Sequence, residues 1–181
     1  MRRSLLGLLG SLTLMGLGIV PAVGAGEIDK ALKDRYRASR LEVQNSGTEG
    51  YVYRPATVLV LEADSVPAKK LRVTQVNTKS PRVHVHDYAR VDVDSESRLV
   101  TGTGDVVLVK GTRLAVLNIK VEGDRVRIFT HTLERLVLPD GTRAYGCTEF
   151  VLRFESNEIR RHDLASVEAR IGRILKAGHP S

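Results

Sequence analysis

Two places in this chain combine residue types that do chemistry. In Arg82-Val83-His84-Val85-His86-Asp87 the histidines stand two apart. On a strand both imidazoles then project from one face, and Val83 and Val85 take the other. Two imidazoles so spaced can share a metal ion if a third ligand, such as His131 or Glu149, arrives from another strand. Arg82 lies on the same face and repels a cation. Because imidazole titrates near neutrality, this face can instead hold anions more strongly at low pH. The second place is Cys147, the only cysteine, together with His131. A single cysteine has no internal disulfide partner. With a histidine as base its thiolate is a nucleophile; buried in a core strand it is inert. Glu149, on the same strand face, is expected to raise its pKa.

Other motifs read more simply. Thr101-Gly102-Thr103-Gly104-Asp105 contains Gly-x-Gly, which cradles phosphate between a strand and a helix. Here strands are expected on both sides, so the segment reads as a hairpin loop. Asp92, Asp94, Ser95 and Glu96 form an acidic loop that lacks the glycine and terminal glutamate of a calcium loop. Arg160-Arg161-His162-Asp163 reads as the solvated start of a helix, with Asp163 as its cap.

The elements that must position these residues are mostly strands. Ile28, Ala31, Leu32, Arg35 and Tyr36 recur at helical spacing, which predicts a helix over 26–40. Asn45-Ser46-Gly47 signals a turn, and from Tyr51 the period becomes two. Thr57 to Leu61 is a continuous apolar run, as in a strand buried on both faces. Val106 to Val109 and Leu114 to Val121 are almost as apolar. Leu71 and Val73, Val83 and Val85, and Val91 and Val93 alternate with polar residues, as half-buried strands do. Glu122-Gly123-Asp124 and Pro139-Asp140-Gly141 are turn signals. Phe150, Leu152 and Phe154 share one face of a last strand, and Glu149, Val151 and Arg153 the other. Leu164, Val167, Ile171 and Ile174 then predict a helix over 157–177, stopped by Gly178 and Pro180. The expected fold is mainly β: an antiparallel barrel or curled sheet over 41–155, flanked by an N-terminal and a C-terminal helix.

The chain also contains an echo of itself. Val52-Tyr53-Arg54-Pro55-Ala56-Thr57-Val58-Leu59-Val60-Leu61 aligns with Val107-Leu108-Val109-Lys110-Gly111-Thr112-Arg113-Leu114-Ala115-Val116. Thr57 falls on Thr112 and Leu59 on Leu114. A strand, a turn with Lys-Gly-Thr and an apolar strand resemble the start of bacterial SH3-type small β-barrels, over residues 50–78 and 104–132. That resemblance implies a module that binds cell-wall peptides or serves assembly, although a fold does not fix a function. Separately, Ala144-Tyr145-Gly146-Cys147-Thr148 downstream of Phe129-Thr130-His131 resembles the end of the L,D-transpeptidase motif. That family crosslinks cell-wall peptides through a cysteine and places a histidine upstream of a Ser-x-Gly-Cys stretch followed by an arginine. His131, Gly146 and Cys147 match. Ala144 stands at the serine position and Glu149 at the arginine position. The resemblance implies Cys147 as nucleophile and His131 as base.

Composition bounds where such a protein works. The chain has 181 residues, 42% hydrophobic and 27% charged, with no tryptophan and a net charge of +7. This excludes collagen, a polytopic membrane protein and a wholly disordered chain. Arg2 and Arg3, an uncharged apolar run from Leu5 to Val20 and the small residues Val23 and Ala25 form a secretory signal pattern over 1–25. The rival reading is an uncleaved anchor, and Arg2-Arg3 also resembles a twin-arginine signal. Cleavage leaves one mature domain, 26–181, with a dispersed charge of +5. Such a surface favours anionic envelope polymers or lipid headgroups. No helix-turn-helix or zinc pattern points to nucleic acid, and no motif points to a cofactor. The sequence is therefore expected to encode a periplasmic or secreted, non-enzymatic binding or assembly protein of the bacterial cell envelope, its partner an envelope polymer or another protein, with peripheral contact to anionic lipid. The alternatives are a cysteine-dependent cell-wall-modifying enzyme using Cys147 and His131, and a metal-binding protein using His84 and His86.

Overall fold

The computed structural model describes residues 25–43, 49–75, 83–155, 159 and 164–179. All but the last residue of the signal pattern 1–25, the turn at Asn45-Ser46-Gly47, Arg82 and the basic run 160–163 with its expected cap lie outside them. No helix among the described residues is long and apolar enough to cross a membrane.

The fold is mainly β and is dominated by one curled sheet. Helix α1 (Ala25–Arg35) opens it. Strands β1 (Glu42–Val43) and β2 (Gly50–Tyr51) pair with each other. Next come β3 (Val58–Leu61), β4 (Val66–Lys70), β5 (Val73–Gln75), β6 (Val83–Val85), β7 (Ala89–Val93), β8 (Leu99–Thr101) and β9 (Val106–Leu108). The long hairpin of β10 (Arg113–Glu122) and β11 (Arg125–Thr132) follows. After it come β12 (Leu136–Val137), β13 (Arg143–Ala144), β14 (Gly146–Arg153), helix α2 (Leu164–Gly172) and β15 (Leu175–Ala177). Nine strands form the main sheet in the order β15-β3-β10-β11-β14-β4-β9, with β7 beside β14 and β8 beside β7.

The β10–β11 hairpin is the frame. Glu122 faces Arg125 across a two-residue turn. Gly123, at φ +63, takes the left-handed first position that such a turn requires and that a side chain disfavours. One face of the frame is core. Val116, Ile119, Val126, Ile128, Phe150 and Leu152 gather there with Ile28 and Leu32 of α1 and Val167 and Ile171 of α2. Phe150 is fully buried, and with Leu152 and Phe154 it lies on the core side, as the alternation requires. The backbone of β3 is paired on both edges, by β10 and by β15; Leu59 and Leu61 enter the main core, and Val58 is buried as well.

Several expectations change. The pairing is antiparallel except that β7 runs parallel to β14. β4 covers β14 only at Gly146 and Cys147, so the rest of that edge is left to β7. The C-terminal helix ends at Gly172, and Leu175–Ala177 instead adds a strand to β3. Leu175 there is buried opposite Leu61, so joining the sheet edge satisfies both the backbone and the side chain. The first helix likewise ends at Arg35; Ser39 is already a loop residue donating its N–H to the Val116 carbonyl. The apolar run Val106 to Val109 is an outer edge rather than a buried strand, with Val107 and Val109 exposed. The two echo segments are neighbours, with Leu59 directly opposite Leu114.

The Gly-x-Gly segment is a crossover and not a hairpin, because β8 pairs with β7 and β9 with β4. Its glycines permit close passage over other backbone. A Cβ at Gly104 would stand 2.7 Å from the Ala68 carbonyl oxygen and 2.8 Å from its nitrogen. At Gly102 it would stand 2.8 Å from the Arg90 carbonyl oxygen. Gly104→Ala is therefore expected to destabilise the protein by about 1–3 kcal/mol, read as a lower urea midpoint. Gly123 has open space at that position, so Gly123→Ala, which costs only backbone strain, serves as the comparison. Equal midpoints for Gly104→Ala and wild type would refute the close-approach account.

Candidate functional site

Cys147 and His131 do come together. They are directly opposed in the β11–β14 pair, so both lie on the face of the frame away from the main core. Cys147 joins a small second cluster with Leu71 and Val73, lined by Leu41, Val43, Val83, Val85, Tyr88 and Tyr145. Its Sγ lies 3.0 Å from the Asp87 carbonyl oxygen and 3.4 Å from that of Lys69. Donating to backbone carbonyls requires the thiol proton. Burial pushes the thiol pKa up from 9.0 to about 12, Asp87 and Asp105 push the same way, and Lys69 opposes them. Glu149 is not among these causes, contrary to the sequence expectation. Its carboxylate turns to Arg127, whose Nε donates to Glu149 Oε1 at 2.5 Å.

His131 is equally enclosed. It is fully buried, and its ring lies 4.8 Å from that of Tyr145. Neither ring nitrogen has a hydrogen-bond partner of good geometry. Burial lowers its pKa from 6.5 to about 4, against a weaker upward pull from backbone at Gly50 and Thr132. A neutral imidazole and a protonated thiol thus sit side by side without solvent access. Burial and a raised thiol pKa are the opposite of what activates a nucleophilic cysteine.

His84 and His86 also share a side, with ring centroids 5.7 Å apart and edge to face. Both are exposed. His86 Nε2 shares a hydrogen bond of 2.5 Å with Thr74 Oγ1. His131 is sealed and Glu149 is paired with Arg127, and among the described residues no third His, Cys, Asp or Glu joins the two imidazoles. The acidic loop is consumed internally: Asp94 accepts from the backbone of Glu96 and Arg98 and from the Arg98 side chain, and Asp92 bridges Arg90 and Arg153.

The structure instead opens a groove that the motifs did not single out. It has a volume of about 560 Å³ and lies between the β5–β6 hairpin and the outer face of the β10–β11 frame. It is lined by Leu41, by Val83, His84 and Val85 of β6, by Tyr88, and by Leu117, Asn118, Lys120 and Phe129 of the frame. Ser39 and Arg40, from the segment after α1, also line it. The volume falls within the range of small-molecule sites. A β-bulge between Val116 and Asn118 shapes the lining from the frame. In a regular strand Leu117 and Asn118 would point to opposite faces. The bulge turns both into the groove, and bulges commonly re-aim side chains in this way beside functional sites.

The electrostatics of the groove are uneven. Phe129 packs edge to face with Tyr88 at 5.2 Å. The Arg127 guanidinium lies 5.0 Å and the Lys120 ammonium 5.9 Å from the Phe129 ring centre. Arg127 is matched by Glu149 and Glu122, which raise its pKa. Arg40 and Lys120 are exposed and form no ion pair among the described residues. They are the cations available to a ligand. Searches of protein-family models, of curated proteins and of solved structures find no match to this chain.

Proposed function

We propose that this is an exported, non-enzymatic binding or assembly protein of the bacterial cell envelope, working in the periplasm or as a secreted protein, which takes an envelope polymer, a partner protein or an anionic lipid into the groove beside Phe129. One observation carries the reading. The groove is open and lined by apolar side chains together with Arg40 and Lys120, which form no ion pair among the described residues, whereas the Cys147–His131 pair is buried, with burial pushing the thiol pKa up and the imidazole pKa down. The signal pattern in residues 1–25 and the dispersed positive charge support an anionic envelope environment.

Cosedimentation with purified cell-wall sacculi and with envelope fractions tests this. Wild type is expected to sediment with at least one fraction. The double variant Arg40→Glu, Lys120→Glu is expected to lose about tenfold in apparent affinity, because both changes replace attraction by repulsion. Its melting midpoint should lie close to that of wild type, since both side chains are exposed. A double variant that sediments like wild type would sink the assignment to this groove.

A further inference from the structure

We infer that the groove between the β5–β6 hairpin and the bulged β10–β11 frame binds an amphiphilic anion, specifically a lipid-like molecule with a phosphate head group. This rests on the groove being the binding site of the protein.

The lining divides by chemistry. Leu41, Val83, Val85 and Leu117 present aliphatic surface, and Tyr88 and Phe129 add ring surface. All six are in the intermediate range of exposure, so their apolar faces are incompletely covered and an apolar ligand body would release water from them. Leu117 is there because of the bulge; a regular strand would have alternated it away from Asn118. Arg40 and Lys120 supply two cations from different segments of the chain. The nearby Arg127 cannot serve, because its charge is taken by Glu149 and Glu122. Arg and Lys together suit a head group with several acceptor oxygens, Arg as a planar fork and Lys as a compact point charge. A purely ionic ligand leaves the aliphatic surface uncovered. A neutral apolar ligand leaves the two cations unused. An anion attached to an apolar body satisfies both, and Asn118 adds a side-chain amide that both donates and accepts.

The test uses the folded protein as it accumulates in expressing cells. The probes, below their micelle concentrations, are dodecyl phosphate, the neutral amphiphile dodecyl maltoside and inorganic phosphate. Backbone amide NMR shifts locate binding, and titration calorimetry gives affinity. Dodecyl phosphate is expected to saturate one site, with shifts centred on Val83, Val85, Leu117 and Asn118. The maltoside and inorganic phosphate should each bind at least about tenfold more weakly, and added salt should weaken only the phosphate-bearing probes. Lys120→Gln should reduce dodecyl phosphate affinity about tenfold and leave maltoside binding unchanged. Leu117→Asn should weaken both amphiphiles and leave inorganic phosphate unchanged. Equal affinity for maltoside and dodecyl phosphate, or shifts centred away from the groove, would overturn the inference. If no amphiphile binds while envelope cosedimentation still depends on Arg40 and Lys120, the ligand class is wrong and the groove stands as a binding site. If both fail, the groove itself is not the site.

Discussion

At pH 7 Cys147 of the native protein is expected to react with a small thiol reagent about a thousandfold more slowly than an unperturbed cysteine, because burial and the nearby carboxylates move its pKa from 9.0 to about 12. The thiolate is the reactive species, so each unit of upward shift removes about tenfold of it at neutral pH. Enclosure by Leu71, Val73, Tyr88 and Tyr145 slows access further. In denaturant the same thiol should label at the ordinary rate, giving one equivalent per chain. Iodoacetamide labelling, quenched at intervals and read by intact mass, measures both rates. Native labelling at the ordinary rate would overturn the structural role and restore Cys147 as a candidate nucleophile. Two backbone carbonyls, the nearer that of Asp87, lie within reach of the single thiol proton, a setting for a protonated sulfur.

His131 makes stability depend on acid. Its pKa in the folded protein is about 4, against an ordinary 6.5. Above pH 6.5 both the folded and the unfolded chain carry a neutral ring, and this residue adds no pH dependence. As pH falls from 6.5 to 4 the unfolded chain takes up a proton that the folded chain refuses. Stability therefore drops over that window, by about 3 kcal/mol at its lower end, and the effect levels off below pH 4. Asp92 and Asp94, whose pKa values are lowered, lose their stabilising charge at more acidic pH still, so the two effects are separable. Urea midpoints of wild type and His131→Gln at several pH values provide the measurement. The variant should have a flatter profile between pH 6.5 and 4, whatever its absolute stability. Identical slopes for the two proteins would show that His131 is not held neutral by burial.

The alternation of apolar residues was enough to anticipate the curled β architecture, because each strand must hide its own apolar face. Phe150, Leu152 and Phe154 illustrate this, as do Val91 and Val93. The pattern was silent about which strand lies beside which. Val106 to Val109 has the composition of a buried strand and forms an edge, since only its position beyond β4 decides exposure. Leu175–Ala177 continues a helical pattern in sequence and becomes a strand, since an unpaired edge of β3 was available next to it.

The candidate site was less legible. His131 and Cys147 were visible as residue types, and their direct opposition follows from the register of β11 with β14. Cys147 is covered by Leu71 and by the valines of β5 and β6, and His131 is covered by Tyr145 and approached by the Gly50 backbone. The groove left no motif at all. Arg40, Val83 and the hairpin carrying Leu117, Lys120 and Phe129 are distant in sequence, and Leu117 joins them only through a bulge that has no turn-like signature.

By itself, the sequence determined the periodicities, the turn glycine at Gly123, the charge excess and the identity of the one thiol, all of which are local properties of neighbouring residues. Tertiary structure alone decided that this thiol and His131 are buried opposite each other, and that Arg40 and Lys120 line one groove with Leu117 and Phe129. Those depend on desolvation and on side chains brought together across strands, and neither is a function of spacing along the chain.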